Sequence, residues 1–89
     1  MSLDRGRAGV ITVADPKIVR ESTDSKQGRY VTTGHIELAI KRGGHADIAL
    51  LKFPYKDAPS DEEARLQAIP ALEAVVTQLS RALDRLKGR

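Results

Sequence analysis

His35, Glu37 and His45 are the side chains whose types come nearest to a chemical site, because imidazoles and carboxylates together hold metals and move protons. Two residues apart, His35 and Glu37 share one face of an extended strand, whereas His45 falls at the far end of the same hairpin. Zinc needs three or four ligands converging at short reach, so these residues read as a solvated strand face and no metal is expected. Ser22, Ser25, Ser60 and Ser80 all have turn or helix-surface explanations. Neither histidine stands at a spacing that would activate one of them as a nucleophile. Cysteine is absent, which removes thiolate chemistry, thiolate metal cages and disulfides together. Gly6 to Gly9 and Arg42 to Gly44 are too short to cradle a phosphate, and neither lies between a strand and a helix. Catalysis and a resident cofactor are therefore not expected.

Basic residues interleaved with the few aromatics suggest a different activity. Arg29-Tyr30 opens one strand, and Lys52-Phe53-Pro54-Tyr55-Lys56 closes its neighbour. Exposed rings on a sheet give bases a stacking platform while Lys and Arg follow the phosphates, at about 1–3 kcal/mol per stacked base. Contacts for a single-stranded nucleic acid would be Arg7, Arg29, Lys41, Arg42, Lys52, Tyr55 and Lys56. The competing reading makes Tyr30 and Phe53 core residues and lets the lysines lay their stems over them. Net charge is +3 over 89 residues. Residues 1–56 hold ten Lys/Arg against six Asp/Glu, and residues 57–89 hold five against six. The strand half thus carries the positive excess, which favours anionic partners there.

These side chains must be positioned by a small α+β domain spanning 10–89, preceded by a flexible basic arm at 1–9. Part of Met1 to Leu3 reads as a cloning scar. Val10 to Ala14 predicts a first strand stopped by Asp15-Pro16. Lys17 to Ser22 predicts a short edge strand, followed by a polar loop from Thr23 to Gly28. Arg29 to Arg42 alternates with period two, placing Tyr30, Thr32, Ile36, Leu38 and Ile40 on one face. Gly34 interrupts that row and marks a bulge or a close backbone approach. With a loop at Arg42-Gly43-Gly44, Ala46 to Phe53 completes a hairpin, and Ile36, Leu38 and Ile40 face Leu50, Ile48 and Ala46. That register turns Leu51 and Phe53 to the other face. Pro54, with no N–H to donate, should end the strand.

Ser60-Asp61-Glu62-Glu63 predicts a capped helix start with acidic residues on the positive pole of the dipole, and the helix runs over 60–87. Ile69, Leu72, Val76, Leu79, Leu83 and Leu86 recur at steps of three and four, flanked by Ala68, Val75 and Ala82. This seam is expected to roof the sheet. Pro70 predicts a kink or a division into two helices, and Gly88 ends the helix after Arg81, Arg85 and Lys87. Ile69 and Val76 at one heptad position with Leu72, Leu79 and Leu86 at another match the preference of parallel two-stranded coils. Fewer than three heptads need further contacts to hold.

The fold class predicted is therefore α+β: a three- to four-stranded antiparallel sheet (strands within 10–56) and a long C-terminal helix. Four strands followed by a helix resembles, in order of elements, the whirly-type and related single-stranded DNA-binding domains. That resemblance implies subunits paired through helices with sheets offered to nucleic acid.

A domain this short hides only about 60% of its unfolded surface, so extra buried area from a second subunit is expected. The expected interface is Leu51, Phe53, Leu72, Val76, Leu79, Leu83 and Leu86. No apolar run approaches the ~20 residues needed to cross a bilayer, and the N-terminal residues lack a secretory pattern, so a cytoplasmic protein is expected. Two functions follow: a non-catalytic protein-interaction or structural module acting as a homodimer, or alternatively a binder of single-stranded nucleic acid.

Overall fold

The computed structural model describes residues 10–43 and 46–88, with Ala46 and Asp47 described in backbone only. The arm at 1–9 with Arg7, as well as Gly44 and His45, lies outside the described residues. Four strands, β1 (Ile11–Val13), β2 (Lys17–Lys26), β3 (Arg29–Arg42) and β4 (Ala46–Ala58), precede one helix, α1 (Asp61–Leu86). β3 is the central strand and every pairing is antiparallel. β1 and β2 lie end to end along one edge of β3, β1 against Ile40–Arg42 and β2 against Arg29–Glu37, and β4 lies along the other edge. Asp15-Pro16 thus breaks one edge rail into two pieces, as the sequence indicates.

The expected polar loop from Thr23 to Gly28 is corrected: Thr23 to Lys26 continue β2 and pair with Thr32 to Arg29. The turn is only Gln27-Gly28, with φ of 54° and 77°. Positive φ at both central residues is the tight hairpin turn whose twist matches the flanking strands. This end of the hairpin is polar, and every residue from Arg20 to Tyr30 is exposed. Tyr30, expected in the inner row, is 78% exposed there.

A second correction decides the core. The hairpin starts with Arg42 opposite Ala46, but beyond a bulge the pairs are Ile40 with Ala49, Leu38 with Leu51 and Ile36 with Phe53. One extra residue in β4 shifts the register by one and exchanges the faces of everything that follows. Leu51, Phe53 and Tyr55 consequently face the helix, while Ile48 and Leu50 are the exposed ones. Pro54 does not end β4, which continues to Ala58. An edge strand tolerates proline because a nitrogen on its free side has no ladder bond to lose.

Two further irregularities bend the sheet. Between Arg20 and Ser22, β2 carries the extra residue Glu21, and across from it Gly34 lies close under the β2 backbone. A Cβ on Gly34 would stand 1.9 Å from the Val19 carbonyl oxygen, so no side chain fits. Near the end of β4 the register shifts again, around Asp57 at φ 54°, whose N–H donates to Thr33 Oγ1 at 3.1 Å.

Ser60 caps α1, its Oγ accepting the Glu63 N–H at 3.2 Å. Pro70 does not divide the helix, which is a single element of 26 residues. A helix-interior proline costs about 3 kcal/mol, and here the ring is on the solvent side, where the carbonyl it frees meets water. Gly88, at φ 78°, ends the helix, and its N–H bonds the Arg85 carbonyl.

The core consists of Ile36, Leu38, Phe53, Tyr55, Ala58, Ala64 and Ala68, with Ile18, Leu51, Leu72 and Val75 packed around it. The small Ala64 and Ala68 let the first turns of α1 approach the rings of β4. Gln67 pins the same turns: its Nε2 donates to the Lys56 carbonyl at 2.8 Å, and its Oε1 accepts the Lys56 N–H at 2.9 Å.

Gly34→Ala is expected to lower the unfolding free energy by about 3 kcal/mol or more, since the obstacle is backbone and cannot move aside. Chemical denaturation followed by circular dichroism measures it. An unchanged midpoint would contradict the close approach of β2.

Candidate interaction surface

The outer face of the sheet, away from α1, carries the polar residues of period two. His35 stands between two carboxylates, Nε2 at 2.8 Å from Glu37 Oε2 and Nδ1 at 3.1 Å from Glu21 Oε1. Glu21 is the bulge residue of β2, so the imidazole ties the bulge to β3. The His35 side chain is 16% exposed. With an acceptor at each ring nitrogen, the doubly protonated imidazolium satisfies both. The hydrogen bond to Glu37, then that to Glu21, raises the His35 pKa above its usual 6.5. His35 in turn holds Glu37 below the usual 4.5, assisted by Lys52 and Lys17. The ring lies between the acids rather than beside them. Among the described residues no group of three or more potential ligands is arranged to hold a metal.

The nucleic-acid residues do not assemble as expected. Tyr55 is 2% exposed and lies under α1, its hydroxyl 3.3 Å from Thr32 Oγ1, so it offers no ring for stacking. Phe53, at 5%, is equally enclosed. The cations are dispersed: Arg29 flanks the Gln27-Gly28 turn, Lys41 and Arg42 lie at the opposite end of β3, Lys52 is on the outer face opposite Glu37, and Lys56 is at the edge held by Gln67. Lys26, beside Arg29, is paired with Asp57 at 2.8 Å.

The apolar residues expected at an interface divide into two groups. Leu51, Phe53 and Leu72 belong to or pack against the chain's own core, which corrects Phe53 as an interface residue. The roof is formed by Ala64, Ala68, Leu72 and Val75, not by the whole seam. Ile69, Val76 and Leu83, a further quarter-turn round the helix, are about half exposed. Leu79 is 57% and Leu86 86% exposed. Two adjoining hollows separate this open flank from β1. One of about 160 Å³ is lined by Pro16, Leu38, Ile69 and Leu72 among others, and one of about 450 Å³ by Val13, Ile40, Leu51, Val75, Val76 and Leu79 among others. Ile11 and Val13 of β1 are themselves half exposed on that side.

Shape agrees with this unfinished flank. The radius of gyration is 17.1 Å and the extents are 58 × 32 × 16 Å, against about 12 Å for a compact chain of this length. Helix seams show in sequence; which quarter of the seam a sheet covers depends on where the strands stop. β1 as a wall of the hollow was not legible as such, because three β-branched or apolar residues in a row read only as a strand.

Set against known protein families, curated proteins and solved structures, the chain matches none. Its class is therefore defined by the layout itself: a four-stranded antiparallel sheet followed by one C-terminal helix. Among the described residues no helix is long and apolar enough to cross a membrane.

The clasp at His35 has a definite pH dependence. A raised folded-state histidine pKa stabilises fully below about 6.5 and is lost as pH rises through the folded value. A depressed glutamate stabilises fully above about 4.5 and is lost as pH falls through its folded value. The clasp is thus strongest between these limits. Denaturation midpoints should fall as pH rises above about 6.5, and His35→Gln should flatten that part of the profile. An identical slope in the variant would show the clasp to be energetically idle.

Proposed function

We propose that this chain is a small non-catalytic protein-interaction module that acts as a homodimer, joined through the C-terminal half of α1. The observation behind the reading is the exposed flank Val76, Leu79, Leu83 and Leu86 beside an open apolar hollow. A contiguous apolar surface of this kind on a soluble domain marks a contact site. Completing the burial of a half-exposed Val or Leu contributes about 1 kcal/mol. Val76, Leu79, Leu83 and the more exposed Leu86 from each copy, with the hollow beside them, supply the area that a chain this small does not bury alone.

A non-catalytic role accords with the side chains that come nearest to chemistry. Both His35 nitrogens are occupied by carboxylates, and the Ser60 hydroxyl serves as a cap. Single-stranded nucleic acid is the weaker reading, since Tyr55 and Phe53 are enclosed, Tyr30 beside Arg29 is a single exposed ring, and the remaining cations are dispersed.

Multi-angle light scattering should give twice the chain mass at micromolar concentration, holding or strengthening as salt rises. Val76→Glu with Leu83→Glu should return the mass to one chain while leaving circular dichroism unchanged, since neither side chain packs in the core. A wild-type monomer at every concentration would refute the homodimer. Tight binding of a labelled single-stranded oligonucleotide that collapses with added salt would favour the other class.

A further inference from the structure

The free flank of α1 has a charged border that specifies how a second copy would lie on it. Glu73, Ser80 and Lys87 follow one another at seven-residue spacing, so they fall on one line along the helix, next to Ile69, Val76 and Leu83. All three are exposed, and among the described residues neither Glu73 nor Lys87 belongs to an ion pair. Read toward the C-terminus the line is negative, neutral, positive. Read backward it is its own complement.

Resting on the homodimer reading above, we infer that two copies pair their α1 helices antiparallel, Glu73 of each meeting Lys87 of the other and Ser80 lying at the two-fold axis. In this register Val76 packs on the partner subunit's Leu86 and Leu79 on the partner subunit's Leu83. The apolar layers and the charged border thus come into step together. Antiparallel helices bring like flanks into contact, which is what lets one line pair with itself. A parallel pair would instead set this line against Val75 and Ala82, which are apolar and partly covered, Val75 being packed against the chain's own core. It would also align the two helix dipoles unfavourably and place Arg81 and Arg85 level with their own copies.

The hollow fits the same arrangement. Ile69 lines the smaller hollow with Pro16, and Val76 lines the larger with Val13 and Pro16, so the open flank looks toward β1. A reversed helix beside α1 would lie over that hollow and cover Leu79 and Val13. By symmetry each copy's helix end closes the other's hollow, an isologous contact that needs no third component.

The chain has no cysteine, so introduced thiols report without background. Glu73→Cys, Lys87→Cys and the double variant are treated with a short bifunctional thiol reagent, and mass is followed in parallel by light scattering. The double variant should cross-link to a covalent dimer while both single variants remain uncross-linked. Cross-linking of Lys87→Cys alone would place the two C-terminal helix ends side by side and overturn the inference while leaving the homodimer intact. A dimeric mass without cross-linking in the double variant would place the interface elsewhere and overturn it likewise. Monomeric mass throughout would remove the homodimer and this arrangement with it. As an independent check, Glu73→Lys and Lys87→Glu should each weaken the dimer several-fold and the combined swap should restore it. Failure of that restoration would count against the charge pairing.

Discussion

The structure depends on one surplus residue in β4. Without the bulge between the pairs Lys41–Asp47 and Ile40–Ala49, every side chain from Leu50 to Tyr55 would turn over. Phe53 and Tyr55 would then face solvent and Lys52 would face the helix. With it, two of the three aromatic rings in the chain sit beneath the alanines of α1. The helix cap, the Gln67 contact to Lys56 and the packing of Ala64 and Ala68 all presuppose that shift.

The same residue explains what could be read in the sequence. The extent of strand β3 was legible because its alternation runs from Ile36 to Ile40 over a buried face, although toward Tyr30 the phase changes and Val31 is the buried residue. Gly34 was legible as a close approach, since a glycine in the middle of an otherwise β-branched row has few other reasons to be there. The β3–β4 register was not legible. Ala46, Ile48 and Leu50 continue an apolar alternation as convincingly as Ala49, Leu51 and Phe53, and only packing against the helix discriminates between them. Thr23 to Lys26 misled differently: a strand exposed on both faces has the composition of a loop. The interface residues divided along the same fault. Val76, Leu79, Leu83 and Leu86 remain open, while Phe53 and Tyr55 face outward only in the register without the bulge and are enclosed in the structure.

Contact between α1 and the sheet is graded along the helix. Alanines at the start allow close approach, Leu72 and Val75 are half covered, and the last two turns extend past the sheet. A helix of 26 residues is about 39 Å long, more than the short inner row of β3 can cover. The exposed flank therefore follows from a length mismatch between helix and sheet, and its apolar character is not needed to hold the first half of α1 in place. Folding of the single chain and occupation of the flank are separable: the core closes at the cap, and the flank is decided at the other end.

The Gln67 amide on Lys56 has an effect beyond anchoring. A bare strand edge invites a neighbouring chain to add another strand, and such additions repeat without limit. At Lys56 the rungs that a newcomer would grip are already taken by a side chain from the same molecule, and two residues earlier Pro54 has no hydrogen to offer. Growth of the sheet by stacking strands is blocked along that stretch. Molecules that meet are steered toward contacts that close on themselves, so crowding should yield discrete particles in preference to fibres.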